Sequence, residues 1–431
     1  MKNSIKGILL LLVVFAFTTA CKTQKQANSA KLVFTNTSNL KLTDKAITVN
    51  RGVLPESKNL NTFPLLIASV DTIPSQTNDT NGDGQWDELF IVANFSENEK
   101  KVVDLKWVDT APKFSVRTSV RFGKRASKNA KVVPATEEIL PANEVHKALG
   151  YQRYQTDGPT WENDKVGFRH YLDGRNAKDI FGKKTADITP EDVGVNAEGA
   201  VEDNYHVMHD WGRDVFPVGN SVGLGGFALL VDNEINRLGI VSGDTLNNIE
   251  TTTFKIVNEG PENSVLNYQY KNWEASGNLY QANETTSIWP GMYGYKNTVS
   301  IDGLKGNEKL LIGLSNINNE KGLQTIEVGN WICLIQHDNL TYDRTWAMGT
   351  ALIIPKNGFE GVMEAPITGQ LTNSFLAKFK VENNMPVSYY AVAGWELSAD
   401  KNFKDATYFT NYVTNLAKQL AAEITVEISK N

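Results

Sequence analysis

The sequence predicts an all-β protein: a large antiparallel β-sandwich, or two sandwiches sharing sheets, with a few short helices. Three observations carry this. Short apolar runs follow one another along the whole chain, many of them alternate apolar with polar residues, and Asn/Asp–Gly pairs punctuate them. A period of two puts alternate side chains on opposite faces of a strand. The pairs at 81–84, 302–303 and 357–358 mark turns, because Asn, Asp and Gly tolerate positive φ. Many short strands with little helical periodicity fit a sandwich.

In chain order, the strand-like runs are 31–35, 65–70, 88–95, 101–108, 114–122, 226–231, 252–257, 265–273, 310–314, 331–337, 351–354, 376–381 and 388–395. Within 114–122, Phe114, Val116, Thr118, Val120 and Phe122 share one face, and Arg117 and Arg121 take the other. Two stretches read as helices. One is short, within 134–149, ending near Gly150. The other spans 400–423, with Phe409, Tyr412, Val413, Leu416 and Leu420 on one face and Asp400 as its N-cap.

The N-terminus reads as an export signal. Lys2 and Lys6 precede an apolar or small run at 7–17, which is shorter than the about 20 residues a spanning helix needs. Thr18, Thr19, Ala20 and Cys21 then resemble a bacterial lipobox, with Thr18 in place of the usual Leu. Residues 1–20 are the expected signal peptide, Cys21 the expected lipidated residue anchoring the chain to a membrane, and 21–30 a polar tether. Cleavage near Ala20 without lipidation is the alternative. The expected location is the cell envelope, in the periplasm or at the outer membrane surface. Residues 31–431 are expected to form one large domain.

Hydrophobic residues make up 41% of the chain, enough for a substantial core. The net charge of −6, with no basic stripe, argues against nucleic acid as a partner. Beyond Cys21 only Cys333 remains, so no intramolecular disulfide staples the domain. Cys333 sits in an apolar run and reads as a buried hydrophobe.

Two regions carry chemistry-bearing residues. Asp79, Asn81, Asp83 and Asp87 lie at positions 1, 3, 5 and 9 of a loop with Gly84 at position 6, the pattern of a calcium loop. Position 12 is Phe90, so the usual bidentate carboxylate is missing. A structural calcium and an ion-free hairpin turn are the two readings; no other cofactor is expected. The denser region is 158–226, where Trp161, Asn163, Arg169, His170, Tyr171, Tyr205, His206, His209, Asp210, Trp211 and Arg213 fall close together. Planar hydrogen-bonding groups mixed with aromatics suit a glycan, whose hydroxyls and C–H faces need both. If 166–171 is a strand, Arg169 and Tyr171 share a face and His170 lies on the other. A buried Arg169 would then need a carboxylate from Glu162, Asp164 or a ligand. His206 and His209 could share a metal on a helix, but on a strand or loop only one would reach a site. Trp289, Tyr293 and Tyr342 to Trp346, including Arg344, are candidates to complete a pocket.

Gly158-Pro-Thr-Trp161-Glu162-Asn163-Asp164, Phe168-Arg169, Asp179-Ile-Phe-Gly182-Lys183, Tyr205-His206 and Asp210-Trp211-Gly212 together resemble a family of exported Bacteroidetes proteins catalogued as a domain of unknown function. That family includes ulvan oligosaccharide dehydratase. The resemblance covers most of the mature chain, the loop at 83–88 included. It implies a hydro-lyase acting on an anionic substrate, the non-reducing-end uronic acid of ulvan- or pectin-type oligosaccharides, and leaving a 4,5-unsaturated end. Such chemistry needs a cation for the carboxylate (Arg169 or Arg213), a base for the C5 proton (His206 or His209) and an acid for the departing hydroxyl (Tyr205, Tyr171 or His170). A polysaccharide lyase and a non-catalytic glycan-binding lipoprotein are the rival expectations.

Overall fold

The computed structural model describes residues 30–55, 59, 61–145, 149–240 and 247–430. Cys21 and the signal and tether expected at 1–29 lie outside them. No helix among the described residues is long and apolar enough to cross a membrane.

The fold is all-β, as the alternation predicts, and is organised as two sandwiches with separate sheets. The smaller is N-terminal. Its five-stranded sheet runs Ile424–Lys430, Ala30–Asn36, Lys100–Val108, Phe63–Ala68, Asp71–Thr72, and its three-stranded sheet runs Leu42–Asn50, Glu88–Phe95, Ser75–Asn78. Leu32, Phe34, Leu89, Ile91, Val103 and Leu105 form its own core. The last strand pairs with the first, so both ends of the described chain close this unit.

The larger sandwich is built on a nine-stranded antiparallel sheet. In spatial order its strands are Glu137–Pro141, Ile249–Asn258, Ser264–Ala275, Asn278–Ile288, Gly294–Asp302, Val387–Trp395, Met348–Pro355, Trp331–Asp338 and Gln324–Val328. Two five-stranded sheets pack on its inner face. One runs Glu234–Arg237, Leu224–Val231, Lys309–Ser315, Ser374–Lys380, Phe359–Glu364. It is pinned by buried tyrosines that donate into it, Tyr295 to the Leu224 carbonyl (2.6 Å) and Tyr389 to the Gly225 carbonyl (2.7 Å). The other runs Gly212–Asp214, Lys178–Lys183, Gly167–His170, Thr160–Asn163, Thr118–Arg121 and carries most of the candidate residues.

One helix, Ala406–Ala421, lies against the nine-stranded sheet and buries Phe409, Val413 and Ala417. Phe409 fits where Gly349 has no side chain; a Cβ there would come within 2.2 Å of the ring. Burying such a ring contributes roughly 1.5–3 kcal/mol. The helix is capped by Asp405, which accepts from the Tyr408 N–H. The expected cap, Asp400, instead caps the short 3-10 turn Lys401–Lys404. The helix expected within 134–149 is not formed over its first part: Glu137–Pro141 is an edge strand of the large sheet, followed by the 3-10 turn Ala142–Glu144. Pairing with Ile249–Asn258 overrode the local pattern there. In 114–122 only Thr118–Arg121 pairs as a strand, with the expected facing, since Val120 and Phe122 enter the core. Cys333 is buried, and burial pushes its thiol up to about 12.

Candidate functional site

The sheet carrying Arg169 has two chemically distinct faces. Its inner face packs on the nine-stranded sheet, with Phe168 edge-on to Tyr295 (4.7 Å between centroids) and His170 stacked on Tyr268 (4.3 Å). Register puts Asp179 beside Arg169, and Phe181 beside Asp214, so all four share the outer face. The 184–211 segment covers that face, with Tyr205 and Trp211 packed against Phe181.

Arg169 is fully buried at the centre. Its Nη2 donates to Asp179, to Asp214 (2.8 Å) and to the Tyr171 hydroxyl, while Asp157 stands 3.8 Å from Nη1. The rings of Tyr171, Phe181 and Tyr205 flank the guanidinium at 4.3, 5.2 and 5.1 Å, so the cation is held by carboxylates and π-faces together. Burial opposes its charge, but Tyr171, Asp179 and Asp214 outweigh burial and hold its pKa well above the ordinary value. Two carboxylates on one guanidinium nitrogen cannot both ionise cheaply. Burial first, then the Asp179 charge, pushes the Asp214 carboxyl well above the usual range. Burial likewise raises Asp157, Tyr171 and Tyr205, which keeps both phenols protonated.

This network reaches the surface at His206, whose Nδ1 lies 3.5 Å from Asp214 Oδ2 and whose side chain is 44% exposed. Its pKa is lowered, by partial burial first and then by the Arg169 charge, so the ring is neutral at pH 7. Tyr342 meets it edge-on at 6.0 Å and is 41% exposed. Burial, followed by the Asp179 and Asp214 charges, raises the Tyr342 phenol. Arg213, paired with Gly182, leaves the edge strand on the face opposite Asp214, its guanidinium 5.6 Å from the Trp346 ring and 3.9 Å from Asp343. The mouth therefore presents a neutral imidazole and a protonated phenol.

A family model described as "Domain of unknown function (DUF4861)" matches residues 34–426. The chain belongs to the DUF4861 family. "Uncharacterized protein P7" of Formosa agariphila is 29% identical over 276 residues, covering 58% of this chain and 62% of P7. Among solved structures, a Glycosyl Hydrolase Family 38 protein and an alpha-mannosidase, both from Enterococcus faecalis, are similar at a TM-score of 0.48 and 9% identity. The similarity covers 93% of this chain and 47% and 46% of those chains respectively. The match thus takes in less than two thirds of P7 and less than half of either enzyme.

The DUF4861 chain sets His206, Tyr205 and Arg169 around Asp214 and distributes the other candidates elsewhere. Arg169 takes its carboxylates from Asp179 and Asp214; Glu162 pairs with Lys183 and Asp164 with Arg117. Being enclosed and paired, it positions the network rather than meeting a substrate. His170 faces the core, and burial, then the Lys178 charge, lowers its pKa to about 3. His209 bonds the Asn204 carbonyl through Nε2 (2.9 Å) and stacks on Trp211, so it shares no metal with His206. Trp161 is fully buried against Phe168, and Asn163 spends its amide on the Trp289 and Met292 carbonyls (2.7 Å each), so neither is free for substrate. Asp210 is exposed beside Trp211. Tyr293 hydrogen-bonds Asp400, and Arg344 pairs with Glu320 at the surface. Trp289 lines a separate cleft.

In the 79–87 loop, Asp79 accepts from the Gly82 and Gly84 N–H groups (2.7 and 2.8 Å). Asn81 accepts from Asp83, Asp83 from Gln85, and Asp87 from Thr80. The turn expected there is formed, with Gly82 and Gly84 at positive φ. Among the described residues no three His, Cys, Asp or Glu side chains gather as a metal site.

Asp157, Asp179 and Asp214 are the site residues that residue-by-residue reading passed over. Pairing of the Arg169 and Asp179 strands would have found the second of them. Gly212, of the Trp211-Gly212 motif, holds φ +138° with its Cα against the Gly182 carbonyl; a Cβ would sit 1.8 Å from that oxygen. Gly212→Ala is therefore expected to destabilise the protein by about 2–4 kcal/mol and to perturb Asp214 two residues on. A denaturant midpoint within error of wild type would refute this account of the motif.

Proposed function

We propose that this DUF4861 protein is a carbon–oxygen lyase that removes water from the non-reducing-end uronic acid of an oligosaccharide, leaving a 4,5-unsaturated uronyl end. The observation that carries the reading is the half-exposed, neutral His206 held against the buried Asp214 carboxyl, with the protonated Tyr342 phenol beside it. Asp214 Oδ2 already accepts from Arg169, so it also suits an Nδ1–H of His206, which leaves the lone pair on Nε2. His206 Nε2 takes the C5 proton. The C5–H electron pair forms the C4=C5 bond, the C4–O bond breaks, and Tyr342 protonates the departing hydroxyl to water. The imidazolium then returns its proton to the phenolate. Neutralising the substrate carboxylate makes the α proton acidic enough to leave. Asp179 and Tyr171 hold Arg169, which in turn holds Asp214 and so orients His206. Residues 1–21 support placing this chemistry on an exported chain anchored through Cys21.

Incubation with saturated ulvan and pectin oligosaccharides tests the reading. A product lighter by one water, with the ultraviolet absorbance of an unsaturated uronate, is expected. A shorter unsaturated product would replace it with a polysaccharide lyase, and unchanged substrate would overturn catalysis of either kind.

A further inference from the structure

A cleft of about 1300 Å³ lies between the two sandwiches, and none of its lining residues belongs to 158–226. Its floor is the outer face of the nine-stranded sheet. One wall is the N-terminal sandwich with the 78–84 loop, and the other is the helix Ala406–Ala421, with Trp289 and Tyr390 also lining it. Pockets for drug-sized ligands occupy roughly 300–1000 Å³, so this one has room for an extended ligand.

The floor has a regular pattern. Strand register aligns Lys255, Asn267, Thr285 and Thr298 in one row across four strands, and Asn258, Val265, Ser287 and Lys296 in the next. The two lysines stand at opposite ends, three strand spacings or on the order of 14 Å apart. Between them lie amides and hydroxyls. Asn267 Nδ2 donates to Asn283 Oδ1 (2.9 Å), and within the described residues neither Asn267 Oδ1 nor Asn283 Nδ2 is used further. Neither lysine ammonium makes a hydrogen bond or a close ion pair there. Lys255 rests against Gly82 of the loop, and Lys296 feels Glu88 only at a distance. The other carboxylates on the lining are engaged: Asp44 pairs with Arg117, and Asp79 is bound by loop N–H groups. Amide and hydroxyl rows suit a polyhydroxylated chain, and two separated uncommitted cations suit one bearing repeated negative charge.

We infer that this cleft is a binding site for an anionic oligosaccharide of several residues, its carboxylates or sulfate esters meeting Lys255 and Lys296. The inference stands on the cleft's lining and not on the chemistry proposed at His206.

Titration calorimetry on the full chain tests it with three hexasaccharides: oligogalacturonate, a sulfated κ-carrageenan fragment, and neutral maltohexaose. One or both anionic probes should bind, and which of them does distinguishes uronate from sulfate. Maltohexaose should bind at least about tenfold more weakly. The Lys255→Gln/Lys296→Gln variant, shown folded by its thermal melt, should lose the anionic affinity about tenfold or more, while His206→Ala keeps it. Equal binding of the neutral sugar, wild-type affinity in the lysine variant, or no anionic binding at all would overturn the site. Affinity lost in His206→Ala but kept in the lysine variant would assign the saccharide to the other face and overturn it too.

Discussion

Arg169→Met is expected to lower the unfolding free energy by about 3–5 kcal/mol at neutral pH, the range seen when one partner of a buried ion cluster is removed. Among the described residues the guanidinium is the one cation touching both Asp179 and Asp214, and all three side chains are fully buried. Methionine fills the space between the three rings but leaves Asp179 without a counter-charge. Protonating that carboxylate relieves the cost, so the deficit should shrink as pH falls into the acid range. Urea unfolding at neutral and mildly acidic pH measures both effects. Adding Asp179→Asn to Arg169→Met should recover part of the loss, because the amide removes the stranded charge. A single-variant loss under about 1 kcal/mol would mean that the cluster does not hold the outer face together.

The sheet alternation was legible because it follows from geometry alone. Once 167–170 is a strand, Arg169 and His170 must face opposite ways, and the packing of His170 on Tyr268 bears this out. Partner identity was less legible. Glu162 and Asp164 are nearer to Arg169 in sequence than Asp214, but partners across a sheet are set by register, and register is a tertiary property. The same reason explains Trp161 and Asn163. Aromatic and amide residues in a polar stretch look like substrate contacts, yet one stacks in the core and the other ties the strand to the Trp289–Met292 loop. The stretch at 137–141 misled for a different reason: its burial alternates, but Glu138 is buried and Ile139 exposed, so apolar character does not follow the period of two. The large cleft could not be read at all, because its lining comes from 43–48, 78–90, 255–298 and 390–420, segments that meet only in the folded chain.

His206→Ala should lower kcat/KM for a uronate-ended oligosaccharide by about 10²–10⁴-fold, the usual contribution of a positioned general base. The side chain is half-exposed and contributes little to packing, so the thermal melt should be nearly unchanged, which separates this loss from the folding defect of Arg169→Met. Tyr342→Phe should reduce turnover comparably while leaving KM close to wild type, since the phenol acts on the leaving hydroxyl only as the C–O bond breaks. The pH profile carries the sharper test. A base must be neutral to accept a proton, and burial with the Arg169 charge lowers the His206 pKa from its ordinary 6.5. The midpoint of the acid limb of kcat/KM should therefore lie below pH 6.5. Removing the Arg169 charge takes away one cause of the lowering, so in any Arg169→Met protein that remains folded the limb should move toward higher pH. A purely structural role for the cluster would scale the rate without moving the limb. Wild-type activity in His206→Ala, or an acid limb untouched by loss of Arg169, would remove His206 from the reaction.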